Sequence, residues 1–398
     1  HPEYRRQRQM CIRDSVGGCV RDLLCGIEPK DFDIATNATP DQVRKVFKAS
    51  RIIGKRFKLV HIFNRSEIIE VATFRSGEEK NNQGDLIKDQ SGKIIRDNIW
   101  GDLDQDIYRR DFTVNALYYC PISKKIVGHK DGIKDIKQKK IVSIGDPRHR
   151  FSEDPVRSLR AVRFSNKLNF KIDKKIKDAI YEKGHLLSNI SNARIFDEFC
   201  KIFLSGLAEK NFYKLNSFGL SKFLITIEPK VNEFSHNVIF EALKNTDRRH
   251  KNNQSVTPGF LIAALLWPNL INKSLNRGEI NLRKFFRSMD PILRKQQKIT
   301  AIPRKFHSYI KDIWILQLKL HSRIGKQPYK TVKHPRFRAA YDLMLIREKS
   351  FCETKNLGKW WTDFQKNDEK LKKSLISSLK EKDMQESFKT FGFSKELI

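Results

Sequence analysis

Two carboxylates stand one residue apart in Lys30-Asp31-Phe32-Asp33-Ile34. On an extended strand, side chains at i and i+2 share a face, so Asp31 and Asp33 are expected to project together while Phe32 turns to the opposite, buried face. Adjacent carboxylates repel, and a divalent ion relieves that cost. Two ions roughly 3.5–4 Å apart are the usual apparatus of in-line phosphoryl transfer. Taken alone, such a pair is as readily a solvated turn, so its weight depends on what accompanies it. Ahead of it, Val16-Gly17-Gly18-Cys19-Val20-Arg21-Asp22 puts two glycines at a strand-to-helix junction, where backbone can approach a phosphate closely. The segment has neither the P-loop nor the dinucleotide glycine pattern.

Farther on, Arg109-Arg110-Asp111-Phe112-Thr113-Val114-Asn115-Ala116 sets two guanidiniums beside a carboxylate. Arginine forks suit triphosphate oxygens. Asp111 could complete a cluster with Asp31 and Asp33, and Glu70 is a rival on chemistry alone; spacing does not choose between them. The run Glu153-Asp154-Pro155-Val156-Arg157-Ser158-Leu159-Arg160-Ala161-Val162-Arg163-Phe164 opens a helix at proline. Asp154 and Arg157, three apart, lie side by side at its start, an acceptor and a donor able to read the edge of a base. Arg157, Arg160 and Arg163 recur at i, i+3 and i+6 as a basic ridge. In isolation the same pattern describes a cap and a solvated helix face.

These segments need a scaffold. From Val16 to about Gly145 the pattern is mixed: a short helix at Val20–Leu24, strands at Asp31–Ile34, Leu59–Phe63 and Ile68–Phe74, and a helix at Pro40–Phe47 capped by Thr39. Gly77–Asp97 is polar and reads as a loop. After Asp146-Pro147 the strand signals fade. Spaced apolar residues predict helices at Pro155–Phe164, Ile172–Glu182, Ala193–Leu204, Phe234–Lys244, Pro258–Trp267, Asn281–Phe286, Phe306–Leu320 and Phe337–Lys349. The expected class is α+β, a mixed-sheet head followed by an all-helical neck and body. The divisions fall at 16–145 for the head, 146–232 for the neck, 233–365 for the body and 366–398 for a charged tail. Residues 1–15, HPEYRRQRQMCIRDS, are basic and aperiodic and read as an extraneous leader that overwrites most of the strand expected before Gly17.

Composition narrows the partners. The 398 residues carry 79 Lys+Arg against 46 Asp+Glu, a formal charge of +33, which calls for a polyanion such as nucleic acid. With 39% hydrophobic residues there is material for real cores. The longest apolar run, Phe260–Trp267, is far short of the roughly 20 residues of a membrane span. Six cysteines without a CxxC pair support neither a disulfide framework nor a structural zinc, and point to a reducing cytoplasm. Between Ala301 and Ser350 there are 12 Lys+Arg against 3 Asp+Glu, a surface suited to an RNA backbone. Trp314, Tyr341, Trp360 and Trp361 could stack bases, although aromatics at helical spacing more often pack inward.

The four motifs, in this order, resemble the bacterial nucleotidyltransferases of the DNA polymerase β superfamily, in the class II branch that holds tRNA CCA-adding enzymes and poly(A) polymerases. The resemblance implies that Asp31 and Asp33 bind two catalytic Mg²⁺ or Mn²⁺ ions and that Asp111 belongs to the active-site carboxylates. It implies that Gly17, Gly18 and Arg21 lie near the triphosphate, that Arg110 and Asp111 lie near the ribose and phosphates, and that Asp154 with Arg157 contacts the base. Ile52–Ile62, Arg96–Asp102, Ile310–Leu318, His334–Leu343 and Lys359-Trp360-Trp361 are similar to stretches of the polymerases rather than the CCA-adding enzymes. The expected activity is template-independent addition of AMP from ATP to RNA 3′ ends by a monomer. CCA addition is the alternative within the branch, and a non-catalytic RNA-binding protein is the alternative outside it.

Overall fold

The computed structural model describes residues 15–29, 32–54, 58–64, 67–76, 86–88, 94–97, 99–227, 233–276, 279–350 and 357–379. Asp31, most of residues 1–15 and the end of the tail lie outside these. The chain divides into two compact units, residues 1–187 and 188–398. That boundary falls inside the segment expected to form the neck.

The first unit is built on a seven-stranded mixed sheet. Its strands are β1 (Ser15–Val16), β2 (Asp33–Thr36), β3 (Ser50–Ile53), β4 (Leu59–Asn64), β5 (Glu67–Thr73), β8 (Leu117–Cys120) and β9 (Lys125–Gly128), in the spatial order β3-β4-β5-β2-β1-β8-β9. Although β1 has two residues, it holds a central place, antiparallel to both β2 and β8. The pairing of β2 with β5 is parallel and sets Asp33 opposite Glu70. The crossover between them includes helix α2 (Pro40–Val46), which starts on a capping box: Thr39 accepts from the Gln42 N–H and the Gln42 side chain accepts from the Thr39 N–H. Helix α3 (Leu103–Arg109) opens on the same device between Asp102 and Gln105. Val16, Ala35, Phe74, Ile107, Ala116, Tyr118 and Ile144 form the core beneath the middle strands.

Around the sheet run α1 (Gly18–Leu24), α4 (Gly132–Lys137), α5 (Pro147–Glu153), α6 (Val156–Leu168) and α7 (Lys174–Lys183). Within the segment expected to be a loop, β6 (Leu86–Lys88) and β7 (Ile94–Asp97) pair antiparallel. After Asp146, strand pairing among the described residues is reduced to two-residue ladders: β11 (Lys171–Ile172) parallel to β10 (Lys140–Ile141), and β12 (Leu275–Asn276) antiparallel to β13 (Glu279–Ile280). One expectation is corrected at β2. The strand begins at Asp33, so Phe32 precedes the ladder, escapes the alternation a ladder imposes, and is 53% exposed rather than buried.

Helices dominate the second unit: α8 (Asn192–Phe203), α9 (Ala208–Ser217), α10 (Glu233–Lys251), α11 (Pro258–Ser274), α12 (Leu282–Gln297), α13 (Arg304–Lys319), α14 (Gln327–Val332), α15 (Phe337–Ser350), α16 (Leu357–Lys366) and α17 (Glu369–Ser377). The apolar run seen in sequence is the first part of α11, which is buried on nearly every side and continues through Pro268. Trp314 and Trp361 are fully buried, and their indole N–H groups donate to the carbonyls of Ala263 and Leu320 at 2.9 and 2.8 Å. Tyr341 and Trp360 are buried as well, so all four aromatics belong to the core. The charged tail contributes α17, whose side chains are all at least partly exposed. Among the described residues no helix is long and apolar enough to cross a membrane.

Candidate active site

Within the first unit the turn from β1 to α1, the start of β2, the end of α3 and the exposed ridge of α6 enclose a cavity of about 550 Å³. Gly17, Gly18, Arg21, Asp33, Arg110, Asp111, Asp154, Arg157, Arg160 and Arg163 all line it, whereas Glu70, the rival carboxylate, does not.

The two glycines differ. Gly17 has φ +69° and ψ −104°, a conformation that excludes side chains, and its N–H donates to the Leu117 carbonyl at 2.9 Å. A Cβ there would stand 2.9 Å from Arg110 Nη1 and 3.3 Å from the Asn115 carbonyl oxygen. Gly18 is the first residue of α1, and a Cβ on it would meet only Arg21 Nη2, at 3.8 Å. What approaches the backbone of Gly17 is thus the protein's own guanidinium.

That guanidinium is anchored from below. Arg110 Nε donates to the Tyr118 hydroxyl at 2.7 Å, Nη2 donates to Asp106 Oδ2 at 3.0 Å, and the group lies 4.9 Å over the Tyr118 ring. Burial would raise the Asp106 carboxyl, but Arg110 and Arg109 outweigh it and hold the acid below its usual range. Burial and the Asp106 charge push the Tyr118 phenol up, so it stays protonated and donates to Asp106. Arg21 is buried and spends Nε on Asp22 Oδ1 at 2.8 Å and Nη1 on Asn115 Oδ1 at 2.6 Å; Lys167 takes the other Asp22 oxygen at 2.7 Å.

Asp111 is similarly committed. Oδ2 accepts from Arg160 Nε at 2.6 Å, while Oδ1 accepts from the Phe112 N–H at 2.8 Å and from Asn115 Nδ2 at 2.9 Å. Burial alone would raise its pKa, yet Arg160, Asn115 and the Phe112 amide bring it down to about 2. The α6 ridge does not point uniformly to solvent. Arg157 turns back to the Arg150 and Arg109 carbonyls at 3.2 and 3.3 Å and to Glu153, and burial followed by the Arg150 charge lowers it to about 10, so it remains a cation. Arg150 itself closes the end of α3, donating to the Arg109 and Arg110 carbonyls at 2.6 and 2.8 Å. Asp154 Oδ1 accepts from the Val156 N–H at 3.3 Å, fixing the acid at the mouth of the helix. Arg21, Arg160 and Arg163 gather around the Phe164 ring at 4.8, 5.4 and 4.3 Å.

Asp33 is exposed at the rim, and its register partner Glu70 is exposed beside it, with its Oε1 3.1 Å from His61 Nε2. Asp31 lies outside the described residues. Among the described residues no three His, Cys, Asp or Glu side chains are grouped to hold a metal. The described part of the donor set, two solvent-facing carboxylates on neighbouring strands, has the hard oxygen chemistry that suits Mg²⁺ or Mn²⁺. Cys19 is buried at the start of α1, and burial pushes its thiol up.

Sequence reasoning missed Asp106, Tyr118, Lys167 and Phe164 as parts of the site, and gave Asn115 and Asp22 no role. Asp106 and Arg110 at i and i+4 were a usable signal. So were Asn115, four residues from Asp111, and Phe164, four from Arg160, whereas Lys167 meets Asp22 across 145 residues and gave no signal.

Three family models match the chain: "Poly A polymerase head domain" over residues 15–142, "Probable RNA and SrmB-binding site of polymerase A" over 169–234, and "Polymerase A arginine-rich C-terminus" over 277–390. Poly(A) polymerase I of Haemophilus influenzae is 40% identical over 382 residues, covering 93% of this chain and 84% of that protein. Its counterpart in Escherichia coli O157:H7 is 40% identical, with coverages of 92% and 82%. The CCA-adding enzyme of Lactococcus lactis strain MG1363 is 37% identical over 192 residues, 48% of this chain and 46% of that one. Among solved structures, the Bacillus stearothermophilus CCA-adding enzyme in complex with CTP aligns with a TM-score of 0.60 at 21% identity, covering 94% of this chain and 82% of that one. A tRNA nucleotidyltransferase complexed with a primer tRNA and an incoming ATP analog aligns at 0.61 and 18% identity, with coverages of 94% and 98%. At those identities the structures speak for the fold, a polymerase β-like head followed by helices.

Proposed function

We infer how the site works from the premise that this chain belongs to the bacterial poly(A) polymerase I family. It is a polynucleotide adenylyltransferase, adding AMP from ATP to RNA 3′ ends without a template. The RNA 3′ oxygen forms a bond to the α-phosphorus as the bond to the bridging oxygen breaks, the hydroxyl proton is lost, and pyrophosphate leaves. The observation that supports the assignment of residues is that ten of the nominated side chains and backbone positions line one cavity.

Nucleotidyltransferases normally use divalent ions. Here Asp31 and Asp33, with Glu70 as the third carboxylate, are the residues proposed to hold two of them. When bound, these ions supply Lewis acidity, lowering the pKa of the attacking hydroxyl and neutralising the departing pyrophosphate. Asp111 is proposed to act differently from the first expectation. With both oxygens accepting hydrogen bonds, it aims Arg160 and braces Asn115, which in turn holds Arg21.

Arg110 and Arg21, each locked by a carboxylate, offer triphosphate oxygens a fixed positive field that needs no rearrangement as charge develops. Gly17 admits Arg110 to the turn, and Gly18 leaves the turn open for the nucleotide to approach. Asp154 would accept from the adenine 6-amino group and Arg157 would donate to a ring nitrogen, so base choice comes from the protein. Arg163 and Arg160 border that position. The head is assigned to 16–145, a nucleotide- and RNA-binding neck to 146–232, the RNA-tracking body to 233–365, and the protein to the cytoplasm as a monomer.

The test is incorporation with each of the four NTPs on a short oligo(A) primer and on a tRNA lacking its 3′ end. A long ladder with ATP alone on the primer is expected. Addition that stops after three nucleotides on the tRNA and requires CTP would overturn it in favour of CCA addition.

A further inference from the structure

The second unit contains a groove of about 760 Å³ between the C-terminal half of α10 and helix α15, closed at one side by α16. It shares no residue with the head cavity. Its three carboxylates are each engaged within the protein. Asp342 accepts from Arg249 Nη1 and Arg338 Nε, both at 3.2 Å. Glu241 accepts from Lys349 at 2.8 Å, and Glu348 accepts from the Gly358 N–H with both oxygens at 3.1 Å. Once those pairs are made, Lys244, Arg248 and Lys359 are exposed cations on the groove wall with no ion pair among the described residues, Lys244 Nζ lying 4.0 Å over the Phe240 ring and the Arg248 charge reaching Asp342 only from beyond contact distance.

An excess of cations that the fold has not neutralised is the signature of a site for an external anion. Two features identify the anion. Lys244 and Arg248 stand at i and i+4 on α10, so their side chains leave the helix about 5–6 Å apart, close to the spacing of successive phosphates on a single strand. The Asn252 and Gln254 amides border the same groove and are exposed, each offering both a donor and an acceptor, which any base edge can use. A strand of alternating phosphates and bases matches that layout better than the irregular carboxylates of an acidic protein surface.

We propose that this α10–α15 groove is an RNA site, in which Lys244, Arg248 and Lys359 neutralise consecutive backbone phosphates of single-stranded RNA irrespective of base. The inference rests on RNA being the chain's substrate, and it deepens the proposed RNA-tracking role of residues 233–365 by naming the groove and the side chains that carry it.

The test measures binding of labelled A12 and U12 by fluorescence anisotropy, with EDTA and no ATP so that catalysis is silent, across a salt series. The triple variant Lys244→Gln, Arg248→Gln, Lys359→Gln is compared with a charge-matched control, Arg287→Gln, Arg294→Gln, Lys298→Gln, drawn from exposed positions of α12 and its C-cap. At about 0.7 counterions released per phosphate on a single strand, the groove variant is expected to flatten the log–log salt slope by about 2 and to weaken A12 and U12 equally, while the control changes the slope by less than half that. Equal effects of the two triples, or a groove variant that binds like the wild type, would overturn the site and leave the groove to an acidic protein partner. Absence of binding by the wild type would instead remove the premise. All six positions are exposed, so loss of fold is not expected, and melting curves check it.

Discussion

Replacing Gly17 by alanine and, separately, Gly18 by alanine gives a pair of substitutions that the backbone geometry drives in opposite directions. At Gly17 the φ of +69° with ψ −104° costs an L residue on the order of 1–3 kcal/mol. The new Cβ would also stand 2.9 Å from Arg110 Nη1, and that guanidinium is not a loose end, being tied to Tyr118 at 2.7 Å and Asp106 at 3.0 Å. Adding the displacement gives about 3 kcal/mol in all, which for a unit of this size lowers Tm by about 6–12 °C. At Gly18 the Cβ meets only Arg21 Nη2 at 3.8 Å, and the position is helical, where alanine is favoured over glycine by about 1 kcal/mol. Its Tm should hold or rise by a few degrees. Thermal unfolding followed by circular dichroism reads the first quantity, and steady-state ATP incorporation reads the second. Gly17→Ala should raise KM for ATP about tenfold through the shifted Arg110, while Gly18→Ala should alter KM without loss of Tm if the triphosphate rests on that turn. Equal Tm changes for the two variants, or a Gly17→Ala protein that melts within 2 °C of the wild type, would refute the claim that Gly17 exists to admit Arg110.

The remaining expectations concern the carboxylates and the aromatic ring beneath the arginines. Asp33→Asn, at an exposed rim position, should leave Tm unchanged while incorporation falls on the order of a thousandfold, measured by primer extension. Glu70→Gln should behave in the same way, whereas Asp111→Asn should first destabilise the head by about 2 kcal/mol in urea titrations, because it removes the charge that pairs with the partly exposed Arg160 guanidinium. The Asp111 carboxyl, at about 2 in the folded chain against an ordinary 3.8, contributes about 2 kcal/mol that is present above pH 4 and lost as pH falls towards 2. Acid titration of wild type and Asp111→Asn should therefore converge in that window, and parallel curves would contradict it. Phe164→Leu removes the ring that Arg21, Arg160 and Arg163 share, so KM for ATP should rise severalfold with kcat nearly kept; a fall in kcat alone would count against a positioning role.

How much of this was legible in the sequence depends on what each residue had to reveal. The α2 start was legible locally, in Thr39, because a cap needs only its own first turn, while the same device at α3, Asp102 with Gln105, went unread. The order of motifs pointed to one cavity for the same reason that each lies at a strand or helix end. Phe32 went wrong because alternation is a property of a paired strand, and pairing starts one residue later. The electrostatics were illegible for a deeper cause. A guanidinium that suits a triphosphate suits an internal carboxylate equally well, and which it meets is decided by chain separations of 49 for Arg160 with Asp111 and 94 for Arg21 with Asn115. Nothing in the spacing of Asp111 and Glu70 distinguished them as third carboxylates. Burial does: it costs an unpaired charge so much that Asp111 must be fully hydrogen-bonded to exist where it is, and an acid so satisfied has little left to offer a cation. Glu70, opposite Asp33 on the neighbouring strand, meets His61 Nε2 at 3.1 Å but keeps its side chain half exposed to solvent, where a cation could reach it. By the same reasoning the groove cations of the second unit stand out only after Asp342 and Glu241 have claimed their partners, so a net charge of +33 becomes informative about sites when the internal pairs are subtracted from it.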